Sequence, residues 1–300
     1  MVKAGRFLEI IKKGIYRVSF FIFSLFFQSV LVIGYVPTKG ILTPELFDTH
    51  KTGREVTAIF QNPAKLAKAT NKQFKTESNQ GFFGYSDHTV SYIHPFSFGV
   101  VGGGYHVSGT TDIPEVDWER NKRPVQVGTF SDNYHSVKMG LGITLPNYAY
   151  AGVSGKGMNH SLFGRKGQLF SLDLGGLIEV SEYLWVGTYT RHLIGNHIDW
   201  GAYSESLPRD IILETGVTIP PFTTQLSKDM NYFRFSGEWA VHPRWSVVVD
   251  GVFDNEVNYI RHSIGAIIDF NSFALSYIHL NYNETSFGLN QNLLGVMFRR

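Results

Sequence analysis

From about residue 72 to the C-terminus, apolar side chains recur every second residue and not at the helical spacing of about 3.6, which excludes most folds at once. Tyr134 to Leu145 is the clearest stretch. His135, Val137, Met139, Leu141, Ile143 and Leu145 share one side; Tyr134, Ser136, Lys138, Gly140, Gly142 and Thr144 share the other. Successive strand side chains point to opposite faces, so this is a strand with one apolar face and one small or polar face. Gln168 to Val180 repeats the pattern. Phe170, Leu172, Leu174, Ile178 and Val180 oppose Ser171, Asp173, Gly175 and Glu179, with breaks at Leu169 and Leu177. Asn231 to Val241 sets Phe233, Phe235, Trp239 and Val241 against Tyr232, Arg234, Ser236 and Glu238, and Tyr259 to Phe270 behaves likewise.

Turn signals divide these runs. Short connectors stand at His94-Pro95, Pro146-Asn147, Ser181-Glu182, Pro220-Pro221, His242-Pro243 and Asn271-Ser272. Longer polar stretches alternate with them, at 109–131, 160–167, 195–209, 254–258 and 281–284. The markers place strands near 73–82, 88–94, 97–108, 134–145, 148–159, 168–180 and 184–193. The rest fall near 210–219, 222–227, 231–241, 245–253, 259–270, 273–281 and 286–298. That makes fourteen, with twelve the fallback. The first hairpin and 222–227, which needs a tight turn at Lys228-Asp229, are its weakest members. Several of these strands exceed the roughly 9 to 11 residues that cross a bilayer at a tilt. A soluble sandwich uses strands of about 5 to 6 residues. Strand length and the alternation of short and long connections predict an all-β, transmembrane antiparallel barrel over 72–300, with short turns on the periplasmic side.

The N-terminus supports export. Lys3, Arg6, Lys12, Lys13 and Arg17 precede an apolar run from Val18 to Val36, and Val32-Ile33-Gly34 offers a small-residue site. This is the pattern of a signal segment over 1–34, with an uncleaved anchor as the competing reading. Composition agrees: 15% aromatic and 31 glycines against only 17% charged residues suit a chain with one lipid-facing and one water-facing side. A formal charge of +2 with no basic stripe gives no reason for a nucleic-acid partner. The absence of cysteine removes thiolate catalysis, Cys-ligated zinc and disulfides.

Residues 35–71 read differently, as an N-terminal plug or hatch. Val56 to Ala69 predicts a short helix broken at Asn62-Pro63, because Pro suits the first position of a helix and Asn caps it well. The motif Asn62-Pro63-Ala64 ahead of a period-two remainder resembles the superfamily of fatty-acid-transporter-like outer-membrane barrels. The look is most like the branch with type IX secretion barrels and uncharacterised spirochaete-type barrels. Leu172-Asp173-Leu174-Gly175 and Leu207-Pro208-Arg209 add to the resemblance, which covers roughly 50–298. The chain departs from it at Lys65, where Gly is usual, and in ending Phe298-Arg299-Arg300. The resemblance implies a channel or transporter for small hydrophobic solutes in the outer membrane of a diderm bacterium. Its alternative implication is a non-transporting barrel serving as scaffold or shuttle in protein secretion. The partners expected are outer-membrane lipid, the barrel-assembly machinery, and either hydrophobic small molecules or secretion components.

Enzyme chemistry is not expected, nor any cofactor. The eleven histidines are scattered without metal-ligand spacing. Gly152-Val153-Ser154-Gly155 lacks the second spacer of a nucleophile elbow and lies in a strand. Gly102-Gly103-Gly104 has no following Lys or helix; in a strand such glycines mark a bend or the close approach of a neighbour. The functional candidates are the charges on the polar phase: Lys138, Asp173, Glu179, Glu214, Arg234, Glu238, Asp250, Arg261 and Asp269. On a lipid face an Arg or Lys costs about 2 to 4 kcal/mol near the midplane, so these belong in the lumen. There they either pair with one another and hold the wall to the plug, or form a polar constriction. Arg191 is set aside because it shares its phase with Trp185 and Tyr189. Those two, with Trp239, Trp245 and Tyr277, read as interface aromatics.

Overall fold

The computed structural model describes residues 55–80, 84–118, 124–255, 259–270, 272–282 and 290–299. The expected signal segment, and residues 35–54 of the expected plug, lie outside them. Seven strands form the first half of the wall. They are β1 (Gln73–Gln80), β2 (Tyr85–Phe96), β3 (Gly99–Trp118), β4 (Pro124–Leu145), β5 (Ala149–Leu162), β6 (Arg165–Glu179) and β7 (Leu184–Ile194). A small hairpin, β8 (His197–Asp199) and β9 (Ser204–Ser206), follows. The second half comprises β10 (Asp210–Ile219), β11 (Phe222–Lys228), β12 (Tyr232–His242), β13 (Trp245–Asp254), β14 (Tyr259–Asp269), β15 (Phe273–Tyr282) and β16 (Asn290–Arg299). Each wall strand pairs antiparallel with its neighbours, β7 with β10, and β1 with β16 from Gln73↔Arg299 to Gln80↔Asn292. The result is a closed fourteen-stranded barrel. Closure matters because it leaves no row of unpaired backbone groups along the wall.

Its side chains are arranged inside out. In β4, Ser136 and Lys138 are buried, while Val137 and Met139 between them are 50% and 63% exposed. In β6, Ser171 and Asp173 are buried, and Phe170 and Leu174 stand out at 66% and 46%. At the end with the short turns, exposed and half-exposed aromatics pair up. Phe96 stacks on Phe98 at 5.4 Å, Phe222 on Trp239 at 5.8 Å, and Phe270 on Phe273 at 4.6 Å between ring centroids.

Three connections differ from the expectation. The polar stretch 109–131 is mostly strand: β3 and β4 continue together to Trp118↔Pro124, with register shifts at Thr110/Ile113 and Glu115/Val116. Ile113, Val116, Val125, Val127 and Phe130 supply the β-branched and aromatic character there, although polar residues occupy both faces. The stretch 160–167 is a two-residue turn, since Phe163 and Gly164 both have positive φ, 56° and 74°, which joins strands tightly. His94-Pro95 lies within β2, paired with Val101 and Val100, and the chain turns at Ser97-Phe98 instead. The tight turn needed after β11 does form. Asp229 Oδ1 accepts from the backbone N–H of Asn231 at 2.8 Å and of Tyr232 at 2.6 Å.

The stretch 195–209 folds over the long-loop end. Ile198, Trp200 and Leu207 pack on inward-facing Tyr134, Met158 and Leu169. Gly167 makes room for them, because a Cβ there would stand 2.8 Å from Ile198 and 2.9 Å from the Trp200 ring. This cluster explains why Leu169 interrupts the polar phase of β6.

Candidate functional site

Inside the barrel lie two 3-10 turns, Glu55–Phe60 and Pro63–Lys68, where the sequence predicted a broken helix. Asn62 caps the second: its Oδ1 accepts from Ala64 N–H at 2.9 Å, and Pro63 follows at the first position, where a missing N–H costs nothing. Ile59, Phe60 and Leu66 are buried in one apolar cluster with inward-facing Ile93, Val248, Ile278, Leu293 and Met297. Along β3 to β6 the wall facing the segment is rich in glycine. Cβ atoms added at Gly102, Gly140 and Gly142 would stand 3.1 Å from Leu66, 2.8 Å from Ile59 and 2.5 Å from the Ala67 nitrogen. Those at Gly104, Gly152 and Gly175 would overlap Phe60, the Pro63–Ala64 backbone and Asn62. Gly103, between two of them, faces open space. The triple glycine therefore marks the close approach of a neighbour, and its alternate members do the work.

Polar contacts fix this inner segment in register. Glu214 of β10 is 4% exposed and collects three donors: Asn62 Nδ2 at 2.6 Å, Lys65 Nζ at 2.7 Å and Gln225 Nε2 at 3.2 Å. Gly187 on the adjacent strand leaves the space, since a Cβ there would lie 2.9 Å from the carboxylate. Lys65 Nζ also stands 4.7 Å above the Trp185 ring, a cation–π geometry. Lys68 Nζ meets Glu179 Oε1 at 2.7 Å, and Tyr150 Oη donates to the same carboxylate at 3.1 Å.

Beside the inner segment is a cavity of about 320 Å³, bounded by Lys65, Lys68, Leu177, Trp185, Tyr189 and the inner faces of β10 to β14. Two ranks of directly paired residues cross it. One runs Gly216–Gln225–Ser236–Asp250–Ser263, the other Thr218–Thr223–Glu238–Val248. Glu214, Ser227 and Arg234 line it above them.

The structure gathers Glu214, Arg234, Glu238 and Asp250 around this cavity. Lys138 and Asp173 form a separate pair, Nζ to Oδ2 2.6 Å, near Lys156, Arg191 and His192, with Arg234 reaching both places. Glu179 belongs to the Lys68 contact. Asp269 lies apart at the short-turn end, 2.7 Å from Arg299. Arg261 pairs in register with Val252, and its side chain is outside those described.

Two expectations need correcting. Trp185 and Tyr189 are not outward aromatics; both line the cavity, and Tyr189 is 7% exposed. Arg191 shares their phase and so faces the lumen, where it meets Asp210 at 3.0 Å and Asp229 at 3.6 Å. Val186, exposed at 47%, marks the outer face of β7. Sequence reasoning also passed over the buried pairs Lys75–Glu77 at 2.6 Å and His106–Asp87 at 2.9 Å. Their alternation with Phe74, Thr76, His88 and Val90 was the available signal.

No protein-family model matches the sequence, and no curated protein is detectably similar to it. Solved structures do match. The toluene transporter TodX of Pseudomonas putida aligns with a TM-score of 0.61 at 9% identity, over 81% of this chain and 92% of that one. A FadL homologue from Pseudomonas aeruginosa aligns with a TM-score of 0.55 at 9% identity, over 81% and 93%. At such identity the likeness is one of fold: this chain shares the antiparallel barrel architecture of those proteins.

Proposed function

We propose that this chain is an outer-membrane channel or transporter for small solutes with an apolar body, of the fatty-acid-transporter-like kind. The observation that carries the reading is the inverted closed barrel, apolar outside and polar within, with a solute-sized cavity beside the inner segment. A closed barrel is one of only two backbone arrangements able to span a bilayer. The barrels it matches support the choice of solute, since TodX is described as a toluene transporter and a monoaromatic hydrocarbon channel. In this reading residues 1–34 direct export, residues 35–71 are the plug, and the short-turn end faces the periplasm.

Two measurements test it. Purified barrel should migrate differently on gels before and after boiling, and should swell liposomes or carry a co-purified apolar ligand. A sealed, ligand-free barrel overturns the proposal. The lipid face has its own test. Met139→Arg should cost about 2 to 4 kcal/mol in urea titrations of folding into vesicles, as expected for a charge near the bilayer midplane. Met139→Leu should cost almost nothing. Equal stability of the two variants would show that this face does not meet lipid.

A further inference from the structure

We infer that the lumen cavity selects neutral ring compounds bearing a hydroxyl group over both bare hydrocarbons and organic anions. The inference rests on the channel reading and narrows its solute class.

The charges around the cavity leave no surplus of cations. Lys65, Lys68 and Arg234 stand against Glu214, Glu238, Asp250 and the Glu179 that holds Lys68, so the wall offers an anion no excess of positive charge. Lys65 and Lys68 each already hold a carboxylate at 2.7 Å. An entering anion would compete with Glu214 and Glu179 for the same ammonium groups.

The ranks between the charges are hydroxyl and amide groups: Thr218, Thr223, Gln225, Ser227, Ser236 and Ser263. A hydroxyl both donates and accepts, so such a surface meets a solute hydroxyl in either sense. Their clustering follows from register, because Gln225 pairs with Ser236, Ser236 with Asp250 and Asp250 with Ser263 across four strands. A pure hydrocarbon lying on this rank would strip water from polar groups and return no hydrogen bond, which is unfavourable.

The remaining surface is apolar. Leu177, Val248 and Ile278 line the two flanks of the same space. Trp185 offers little stacking area: a Cβ at Gly216 would touch its ring, and Lys65 stands above it. The apolar body of the solute therefore packs on aliphatic side chains while its hydroxyl reaches the Gln225–Ser236 rank. A volume of about 320 Å³ accommodates a single substituted ring, at the lower end of small-molecule sites of about 300 to 1,000 Å³.

Three fluorinated probes of similar size separate the classes: 4-fluorophenol, fluorobenzene and 4-fluorobenzoate. Binding to the folded full-length barrel would be read by fluorine NMR titration, with empty micelles as the blank. The expected result is 4-fluorophenol binding about tenfold tighter than either of the others. Gln225→Leu with Ser236→Ala should remove that preference by weakening 4-fluorophenol and strengthening fluorobenzene. If the doubly substituted barrel fails to fold, Ser236→Ala alone should reduce the ratio severalfold. Tighter binding of fluorobenzene or 4-fluorobenzoate to the unmodified barrel overturns the inference and leaves the channel reading standing. Failure of all three to bind, together with liposomes that do not swell, overturns both.

Discussion

Gly152→Val is expected to expel residues 55–69 from the lumen while the barrel wall stays folded. Gly152 lies near the start of β5, and a Cβ there would fall on the Pro63 carbonyl and the Ala64 nitrogen. These are backbone atoms, held on one side by the Asn62 cap and on the other by the glycine wall, so they cannot swing aside as the end of a side chain can. Overpacking of a well-packed interior costs about 1 to 3 kcal/mol, and a backbone collision belongs at or above the top of that range. Gly157→Val in the same strand is the control, because nothing stands within 4 Å of a Cβ there. Limited proteolysis should cut the 152 variant near the inner segment while the heat-dependent gel shift persists. The 157 variant should resemble the parent. Identical protease resistance in both would show that the inner segment does not rest on this wall.

Glu214→Ala should produce the second large effect. It removes the acceptor shared by Asn62, Lys65 and Gln225, and leaves an ammonium whose side chain is only 10% exposed without its carboxylate. Breaking one side of a buried pair typically costs about 3 to 5 kcal/mol. Lys65→Met should cost less, because Glu214 keeps two donors. Combining Lys65→Met with Glu214→Gln should recover most of the loss, since no unpaired charge remains and Gln can still accept from Asn62. Urea midpoints of the parent, Lys65→Met, Glu214→Gln and the double variant give the coupling directly. Simple additivity would mean that the contact at 2.7 Å does not hold the segment to the wall.

What could be read from sequence depended on whether the signal was local. Strand alternation is local, so the faces of β4, β6, β12 and β14 were visible in advance, and so was the number of wall strands. The phase of β7 is ambiguous in its aromatic residues, because Trp185 and Tyr189 suit both a lipid interface and a cavity wall. Arg191 carries the stronger preference. Its charge has no compensation on the lipid face, and it is this residue that marks the inner phase. The turns failed for a related reason. Phe163-Gly164 does not resemble the usual Asn-Gly or Asp-Gly pair, and 109–131 is polar enough to pass for a loop although its ladder continues. Contacts with the inner segment were wholly non-local. Gly102, Gly140, Gly152 and Gly175 are spread over four strands, and only the closed barrel reveals that they face one object.

The extension of β3 and β4 has a different kind of consequence. β2 leaves this ribbon at Tyr85↔Thr110, and β5 leaves it at Asp132↔Leu162. Beyond those points, among the described residues, each strand has a partner on one side only, and an isolated pair of strands is barely stable by itself. The ribbon and the barrel are thus separate cooperative units joined at one rank of residues. Amide protons of the non-proline residues in 113–118 and 124–130 would exchange through openings that never reach the wall, so the molecule can lose and regain this ribbon without any change in the space it encloses.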